Sequence, residues 1–389
     1  MNYSSQVALM YPIFSLVVAF SFLFLFGLRG VKVSGYISSI VALVVVFVTV
    51  EHTKYDQTDW TAYLSADVEL LDRDIIKGDW LFWRLLLYSN EILEPSRFHL
   101  ILKTTSAVVA YIVSRQLMLS QNLSLLVAAV WTGTTGFSLG ADWYIRQSLA
   151  NHLCVIGWSR LLVTNIATKT QFRSLGWTQY VLPSAILGFS VLIHFGVLAL
   201  NMMVAAIIFS FQKLIKRVIR GDKIDSVAMM SWCVLVGVMA SLVIGIGTPF
   251  LNKIVSEEIL KYGSHQPPVS LLIQAVVFFV CFSILINIKT DLIGETSTVQ
   301  KNDLIFVRFG AVYHVIIFQI LSSSMAIGIS YGYILRINMF KDFYSVISIG
   351  ILTKILESRS LAQYHGRVYA MLLLQSLYLL VISTSTGLK

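Results

Sequence analysis

The chain has 389 residues, of which 57% are hydrophobic and 13% are charged, and its formal net charge is +9 at pH 7. Soluble domains carry about 25% charged residues, and a chain of this length cannot enclose so much apolar surface within one globular core. Composition therefore excludes an ordinary soluble enzyme. Apolar runs of about 17–25 residues recur along the whole length, which predicts an all-α, polytopic integral membrane protein with a single transmembrane domain over residues 1–389.

About twelve segments are predicted to be transmembrane helices, because each is an apolar run bounded by charged or turn-forming residues. The run near 178–212 is continuous, and we divide it by a turn at His194, which has Gly188 and Gly196 on either side. The predicted helices lie near residues 10–28, 34–50, 98–118, 122–140, 145–166, 178–192, 195–212, 227–248, 268–288, 304–327, 340–356 and 368–385.

Lysine and arginine residues collect in loops on one side of this predicted bundle. The clearest example is KLIKRVIRGDK, residues 213–223, and Arg29 and Lys32 lie in a loop on the same side. Such loops face the cytoplasm, so both termini and the loop 51–97 are predicted to face the opposite compartment. The positive charge is spread over short loops and is not gathered on one folded face, which argues against nucleic acid as a partner.

The first predicted outer loop, residues 51–97, is long for a connection, and long loops are usually functional or disordered. It contains Trp60, Trp80 and Trp83, which argues against disorder. Its stretch DWLFWRLLLY, residues 79–88, predicts an amphipathic aromatic helix at the membrane surface. We therefore expect an ordered extracytoplasmic loop.

Two arginines are predicted at the outer edge of the bilayer. Arg146 stands one turn into a predicted helix, and Arg336 stands at the outer start of another. A guanidinium at this depth is costly without an anionic partner. The alternative for each residue is a snorkelling side chain or an ion pair with a loop acid. Two arginines on one side of the membrane, beside aromatic residues, favour an anionic ligand such as phosphate.

His194 interrupts the apolar run SVLIHFGVLAL near the proposed outer turn. A histidine in such a run is often a packed and hydrogen-bonded core residue. In a functional role, it would orient a hydroxyl group or bind a phosphate oxygen.

Carboxylates and aromatic rings occur together in the outer loop, at Asp56, Asp59, Trp60 and Tyr63. Aromatic faces stack on the C–H surface of a sugar ring while carboxylates accept protons from its hydroxyl groups, and a carboxylate also serves as a general base. The alternative is an exposed loop acid. These residues are candidate sugar ligands, with Asp59 as the candidate base.

Asp142 and Tyr144, just ahead of Arg146, are further candidate sugar ligands. The sequence Asp72-Arg73-Asp74 has the D-x-D spacing of metal-dependent nucleotide-sugar transferases, but three letters match by chance often. We predict neither a metal nor a cofactor. The chain also lacks the G-x-x-x-x-G-K-[ST] and H-E-x-x-H motifs, so ATP-driven transport and zinc proteolysis have no support.

The order of these features resembles the EpsG-like branch of the Wzy-type polysaccharide polymerases, of the O-antigen and exopolysaccharide kind. One departure is Gln57, where members often have glycine before Thr-Asp. The matching motifs are T-D-W-x-x-Y (Thr58, Asp59, Trp60, Tyr63), R-Q-S-L-A (Arg146–Ala150), I-H (Ile193, His194) and L-R-x-x-x-F (Leu335, Arg336, Phe340).

The resemblance implies a GT-C-like integral membrane glycosyltransferase in the bacterial inner membrane, with its site facing the periplasm or exterior. Its substrates would be oligosaccharide repeat units on undecaprenyl pyrophosphate. The resemblance also allows a polysaccharide chain-length regulator as a partner. Arg146 and Arg336 would bind the pyrophosphate leaving group. His194 would lie in the same cavity, and Asp59 would bind or activate the acceptor hydroxyl.

Two other classes stay open from the sequence. A different GT-C enzyme would add one sugar from a polyprenyl-monophosphate donor, and such enzymes often place acids in the first outer loop, as Asp56 and Asp59 are placed. A flippase for lipid-linked sugars also commonly has about twelve helices. Transporters keep their polar groups near the midplane, often within repeats, whereas the notable polar residues here are predicted at the outer edge.

Overall fold

All regular secondary structure of the described residues is helical, so the all-α prediction is confirmed for this part of the chain. None of these helices combines the length and the apolar character that crossing a membrane requires. The computed structural model describes residues 17, 35–52, 80–93, 95–142, 145–171, 178–194, 197–198, 201, 204–205, 269–288, 298–326 and 331–387.

Eleven α-helices lie within these residues, with one 3-10 turn at Arg359–Tyr364. The α-helices are α1 (Gly35–His52), α2 (Trp80–Ile92), α3 (Pro95–Gln116), α4 (Gln121–Thr132), α5 (Thr135–Asp142), α6 (Ile145–Gln171), α7 (Thr178–Ile193), α8 (Val269–Ile286), α9 (Thr298–Ala326), α10 (Tyr331–Leu356) and α11 (His365–Gly387).

The chain forms two compact units. The first comprises Met1–Asn201 with Ser376–Lys389, and the second comprises Met202–Gln375. Helices α1 to α7 belong to the first unit, and α8 to α10 belong to the second, while α11 continues across the boundary.

The first unit is built around two helical hairpins. Helices α3 and α4 pack together, and α6 packs against both α3 and α7. Gly157 of α6 permits the close approach of α7, because a Cβ atom there would lie 2.8 Å from the Leu187 side chain and 3.2 Å from the Pro183 carbonyl oxygen. Helices α6 and α7 are therefore closely packed at Gly157.

The second unit has α9 at its centre, packed against α8 and α10. Gly310 of α9 faces Leu285 and Ile351 of these neighbours. The turn after α10 is attached to α9 through Asp303, whose Oδ2 accepts hydrogen bonds from Ser358 at 2.6 Å and from Ser360 at 2.8 Å. These contacts hold the start of α9 against the 3-10 turn.

Several helix bounds differ from the prediction. The helix expected over 122–140 is interrupted: Thr134 donates a hydrogen bond to the Trp131 carbonyl and accepts one from the Phe137 amide, which ends α4 and caps α5. Apolar residues continue through this break, so hydropathy alone hides it. Helix α10 begins at Tyr331 and not near 340, and no proline interrupts its first turns. Helix α9 begins at Thr298, ahead of the predicted 304.

The predicted helix in the long loop is present as α2. Phe82, Trp83 and Leu86 form its buried face. Its other face carries Leu85 and Tyr88, which are 48% and 65% exposed. The helix therefore has an apolar inner face and an outer face that is also partly apolar.

Candidate functional site

The described residues include only part of the predicted site. Arg146 and His194 are described with their side chains, whereas Arg336 and Asp142 are described by their helices alone. Arg336 lies inside α10 and not at its start, and Asp142 is the last residue of α5. The predictions for Asp56, Asp59, Trp60, Tyr63 and Tyr144 lie outside the described residues, as does the Asp72-Arg73-Asp74 stretch.

Arg146 is held by an aromatic ring at the start of α6. Its guanidinium carbon lies 5.2 Å from the centroid of the buried Trp83 ring on α2. A guanidinium over an indole face is attracted by the ring quadrupole, and it binds acceptors through the N–H groups at its edge. Helix α2, within the segment predicted as a long loop, thus contributes a side chain that contacts this arginine.

The register of the α6–α7 pair locates His194 relative to Arg146. Cys154 lies against Ser190, and Gly157 lies against Leu187, so the helices are antiparallel and the pairing continues to Ala150 opposite His194. Arg146 is four residues, or about 6 Å, from Ala150 along the same helical face. The structure therefore brings these two predicted residues to the same end of one hairpin.

The turn predicted at His194 is confirmed. Helix α7 ends at Ile193, and the His194 carbonyl accepts a hydrogen bond from the Val197 amide at 3.1 Å. The chain then returns, because the Asn201 side chain lies 3.0 Å from the hydroxyl of Ser190. His194 is half-buried at this reversal.

A complete hydrogen-bond network lies one turn deeper in the hairpin. Ser190 accepts hydrogen bonds from the thiol of Cys154 at 3.3 Å and from the Asn201 amide at 3.0 Å, and it donates to the Leu187 carbonyl. The Asn201 carbonyl oxygen accepts from the Trp158 indole at 3.0 Å. The polar groups of this network are therefore paired within the protein.

Closer to Arg146 the pairing is incomplete. Asn151 is 6% exposed, yet neither its Oδ1 nor its Nδ2 has a hydrogen-bond partner in the described part of the chain. The buried Oε1 of Gln147 is likewise unpaired there. Together with Arg146 and His194, these two residues form what we call the hairpin-end cluster. Sequence reasoning missed the two amides, although their spacing of four residues in one helix indicated a shared face.

A second buried network joins three helices of the same unit. The hydroxyl of Ser106 on α3 lies 3.0 Å from His152 Nε2 and accepts a hydrogen bond from the indole of Trp131 at 3.0 Å. The other ring nitrogen of His152 lies 3.4 Å from the Ser148 hydroxyl. All four side chains are buried, so this network fixes α3, α4 and α6 together directly behind the hairpin-end cluster.

The second unit has its own buried polar core. His314 on α9 lies 2.6 Å from the amide of Gln375 and 3.3 Å from the Ser348 hydroxyl. Lys341 and Asp342 form a buried ion pair at 3.1 Å, with side chains 0% and 2% exposed. Because Lys341 comes shortly after the predicted pyrophosphate ligand Arg336, this part of α10 carries two cationic residues within about two turns.

Comparisons with known proteins give no relative. No protein-family model, curated protein or solved structure matches this chain. Any statement about its activity therefore depends on the residues themselves.

Proposed function

We propose that this protein is a multi-pass membrane glycosyltransferase of the polysaccharide polymerase kind. It transfers a glycan chain from undecaprenyl pyrophosphate to an acceptor hydroxyl of another lipid-linked repeat unit, at the outer face of the bacterial inner membrane. The observation that carries this proposal is the placement of Arg146 over Trp83, one helical turn from the level of His194.

Arg146 fits the binding of a lipid pyrophosphate. Its guanidinium lies over the Trp83 ring, which favours this position before a ligand arrives. A guanidinium edge binds phosphate oxygens in a bidentate manner. Negative charge grows on the pyrophosphate as it departs, and a preorganised cation stabilises that charge without reorganisation.

The reaction itself needs one bond broken and one bond formed. The anomeric C–O bond of the donor glycan breaks, and its electron pair remains on the pyrophosphate, for which Arg146 is the candidate ligand. The acceptor hydroxyl oxygen bonds to the anomeric carbon, and its proton passes to a base. Asp59 is our candidate for that base, and His194 lies at the hairpin end where it is able to orient one of the reacting oxygens.

The exposed surfaces of several helices support a membrane setting. On α1, the side chains of Ile37, Ile40, Val44 and Phe47 follow one stripe at helical spacing and are 53–70% exposed. Soluble proteins rarely expose contiguous apolar patches of this kind. The same pattern recurs on α3, α7 and α8, at Ile101, Val108, Ile112, Val181, Leu182, Phe189, Leu192, Leu272, Ile273, Val276 and Val280.

Lipid is the partner that best fits these stripes. Their exposed members are branched aliphatic or aromatic residues, with which acyl chains pack without unsatisfied polar groups. A substrate carried on a polyprenyl tail would keep that tail in the same hydrocarbon while its pyrophosphate reaches Arg146. The membrane setting and the lipid-linked substrate therefore support each other.

Elongation by the purified protein tests this function. The full chain in detergent, supplied with undecaprenyl-pyrophosphate-linked repeat units from a producing strain, should yield a ladder of products that differ by whole repeats on a gel. Products longer by one sugar, formed only with a polyprenyl-monophosphate donor, would instead assign the other GT-C activity. No elongation in detergent, with movement of the lipid-linked sugar across vesicle membranes, would assign transport and refute the polymerase.

A further inference from the structure

The unpaired amides of the hairpin-end cluster indicate a ligand. Both polar atoms of Asn151 are buried and lack partners among the described residues, and so does the Oε1 of Gln147. Buried polar groups in folded proteins are nearly always paired, and each exception calls for a specific cause. Leaving three such atoms unsatisfied within one turn costs folding stability, which a bound partner would restore.

The direction of these side chains follows from their helical spacing. Gln147, Asn151, Cys154 and Trp158 recur at intervals of three and four residues and so share one face of α6. Cys154 and Trp158 meet α7 and the returning chain, through Ser190 and Asn201. Asn151 and Gln147 therefore lie on the same face of α6, in the half of the interface that is nearer to the reversal at His194.

Adjacent turns of the α6–α7 pair differ in whether their polar groups are hydrogen-bonded. One turn deeper, Ser190 and Asn201 complete a network in which the groups are paired within the protein. On this face of α6, the unpaired groups occur nearer to Arg146. The polar groups in the interior of the α6–α7 interface are therefore hydrogen-bonded within the protein, whereas the unpaired amides at its end fit the binding of another molecule.

The chemistry of the amides indicates what that molecule is. A carboxamide offers one acceptor and two donors without charge, and the Gln147 oxygen adds a second acceptor. Neighbouring hydroxyl groups of a sugar both donate and accept, so they satisfy such a set in full. An isolated anion would satisfy only the amide N–H groups and would leave the two carbonyl oxygens unpaired.

We propose that Asn151 and Gln147 form a hydroxyl-binding subsite for the sugar ring that is bonded directly to the pyrophosphate. The subsite rests on the proposed function, because it takes its position from a pyrophosphate bound at Arg146. Gln147 follows Arg146 directly, and Asn151 lies one turn further along the helix on the same face as Gln147, so a ring attached to that group would first meet Gln147. The subsite selects the first sugar of the repeat unit, whereas Arg146 binds every carrier alike.

Binding measurements with two probes distinguish recognition of the sugar from binding of the lipid carrier. The first probe is the undecaprenyl-pyrophosphate-linked repeat unit from a producing strain, and the second is undecaprenyl pyrophosphate without a sugar. Binding of each to the full chain in lipid nanodiscs is measured by fluorescence or calorimetry. We expect Asn151→Leu to weaken binding of the sugar-bearing carrier about tenfold, as the loss of one or two hydrogen bonds predicts, and to leave binding of the bare carrier unchanged.

Gln147→Leu should act in the same direction with a smaller loss. Arg146→Ala should weaken both carriers equally. The matched control is Asn287→Leu, because this asparagine bonds to the Ser283 carbonyl at the end of α8, in the other unit; it should change neither affinity.

Thermal unfolding separates the subsite from a structural role. Leucine removes both unpaired atoms at similar volume, so Asn151→Leu should keep or raise Tm while sugar binding falls. A lower Tm with unchanged affinity for both probes would show that a buried water completes the Asn151 hydrogen bonds, and would overturn the subsite alone. Failure of the native protein to bind either probe would overturn the proposed function and the subsite with it.

Discussion

The guanidinium of Arg146 lies on the ring of Trp83, with 5.2 Å between the guanidinium carbon and the ring centroid. These two residues come from α6 and from α2, the helix within the long loop. The loop therefore has a structural role at the site as well as its predicted sugar-binding residues. The orientation of Arg146 depends on a helix that is remote in sequence.

Removal of the Arg146 guanidinium should abolish most of the activity. We expect Arg146→Ala to lower kcat about 100- to 1000-fold, since the loss of one charge-stabilising donor costs about 2.7–4 kcal/mol in the transition state. Gel analysis of polymerised lipid-linked repeats measures the rate. Arg160→Ala is the matched control, because Arg160 is an exposed arginine on the same helix. Equal loss in both variants, or full activity in Arg146→Ala, would contradict the assignment.

Trp83 should affect the proposed activity by positioning the guanidinium of Arg146. Trp83→Leu removes the ring, and a cation–π contact contributes about 0.5–2 kcal/mol, so we expect a roughly 2- to 30-fold loss of activity. Trp83→Phe retains a weaker ring and should lose less. The double variant Trp83→Leu with Arg146→Ala should be no worse than Arg146→Ala alone. Additive losses would show that the two residues act independently.

Sequence predicted several of the described helices closely. Apolar runs identified α1, α3, α6, α7 and α8 with ends within a few residues, because a continuous hydrophobic stretch of that length is too long for a typical strand and favours a helix. The break between α4 and α5 was missed, since Thr134 ends a helix through its side-chain hydroxyl without changing the hydropathy.

The candidate site was only partly accessible to sequence reasoning. Arg146 and His194 were identifiable because charge and imidazole are conspicuous within apolar runs. Asn151 and Gln147 are neutral and match no motif that specifies a ligand, so only their lack of partners among the described residues distinguishes them. The buried network of Ser106 was also hidden, because it joins helices that are distant in sequence.

Gly157 should control the close approach of α6 and α7. In Gly157→Ala the new Cβ atom would meet both Leu187 Cγ and Cδ2 at 2.8 Å, with the Pro183 carbonyl oxygen at 3.2 Å, so a simple rotation of one methyl group gives no relief. We expect a loss of about 1–3 kcal/mol in the free energy of unfolding, measured by thermal unfolding in detergent.

Gly188 provides the matched control for that substitution. It lies on α7, and a Cβ atom there would meet nothing within 4 Å. Gly188→Ala should therefore be neutral, or stabilising by up to about 1 kcal/mol, because alanine has the higher helix propensity. Similar destabilisation by both substitutions would show that the loss does not come from the α6–α7 contact.

The buried pair of Lys341 and Asp342 should behave as a unit. Each side chain is almost fully buried, and the two are 3.1 Å apart. Lys341→Met or Asp342→Leu alone removes one partner of a buried ion pair, which costs about 3–5 kcal/mol. The double substitution removes both charges, so it should be less destabilising than the sum of the single ones.

Denaturant titration of the purified protein measures all three variants. Additive losses would instead show that each residue is stabilised by separate neighbours, in which case the ion pair itself contributes little to the stability of the second unit.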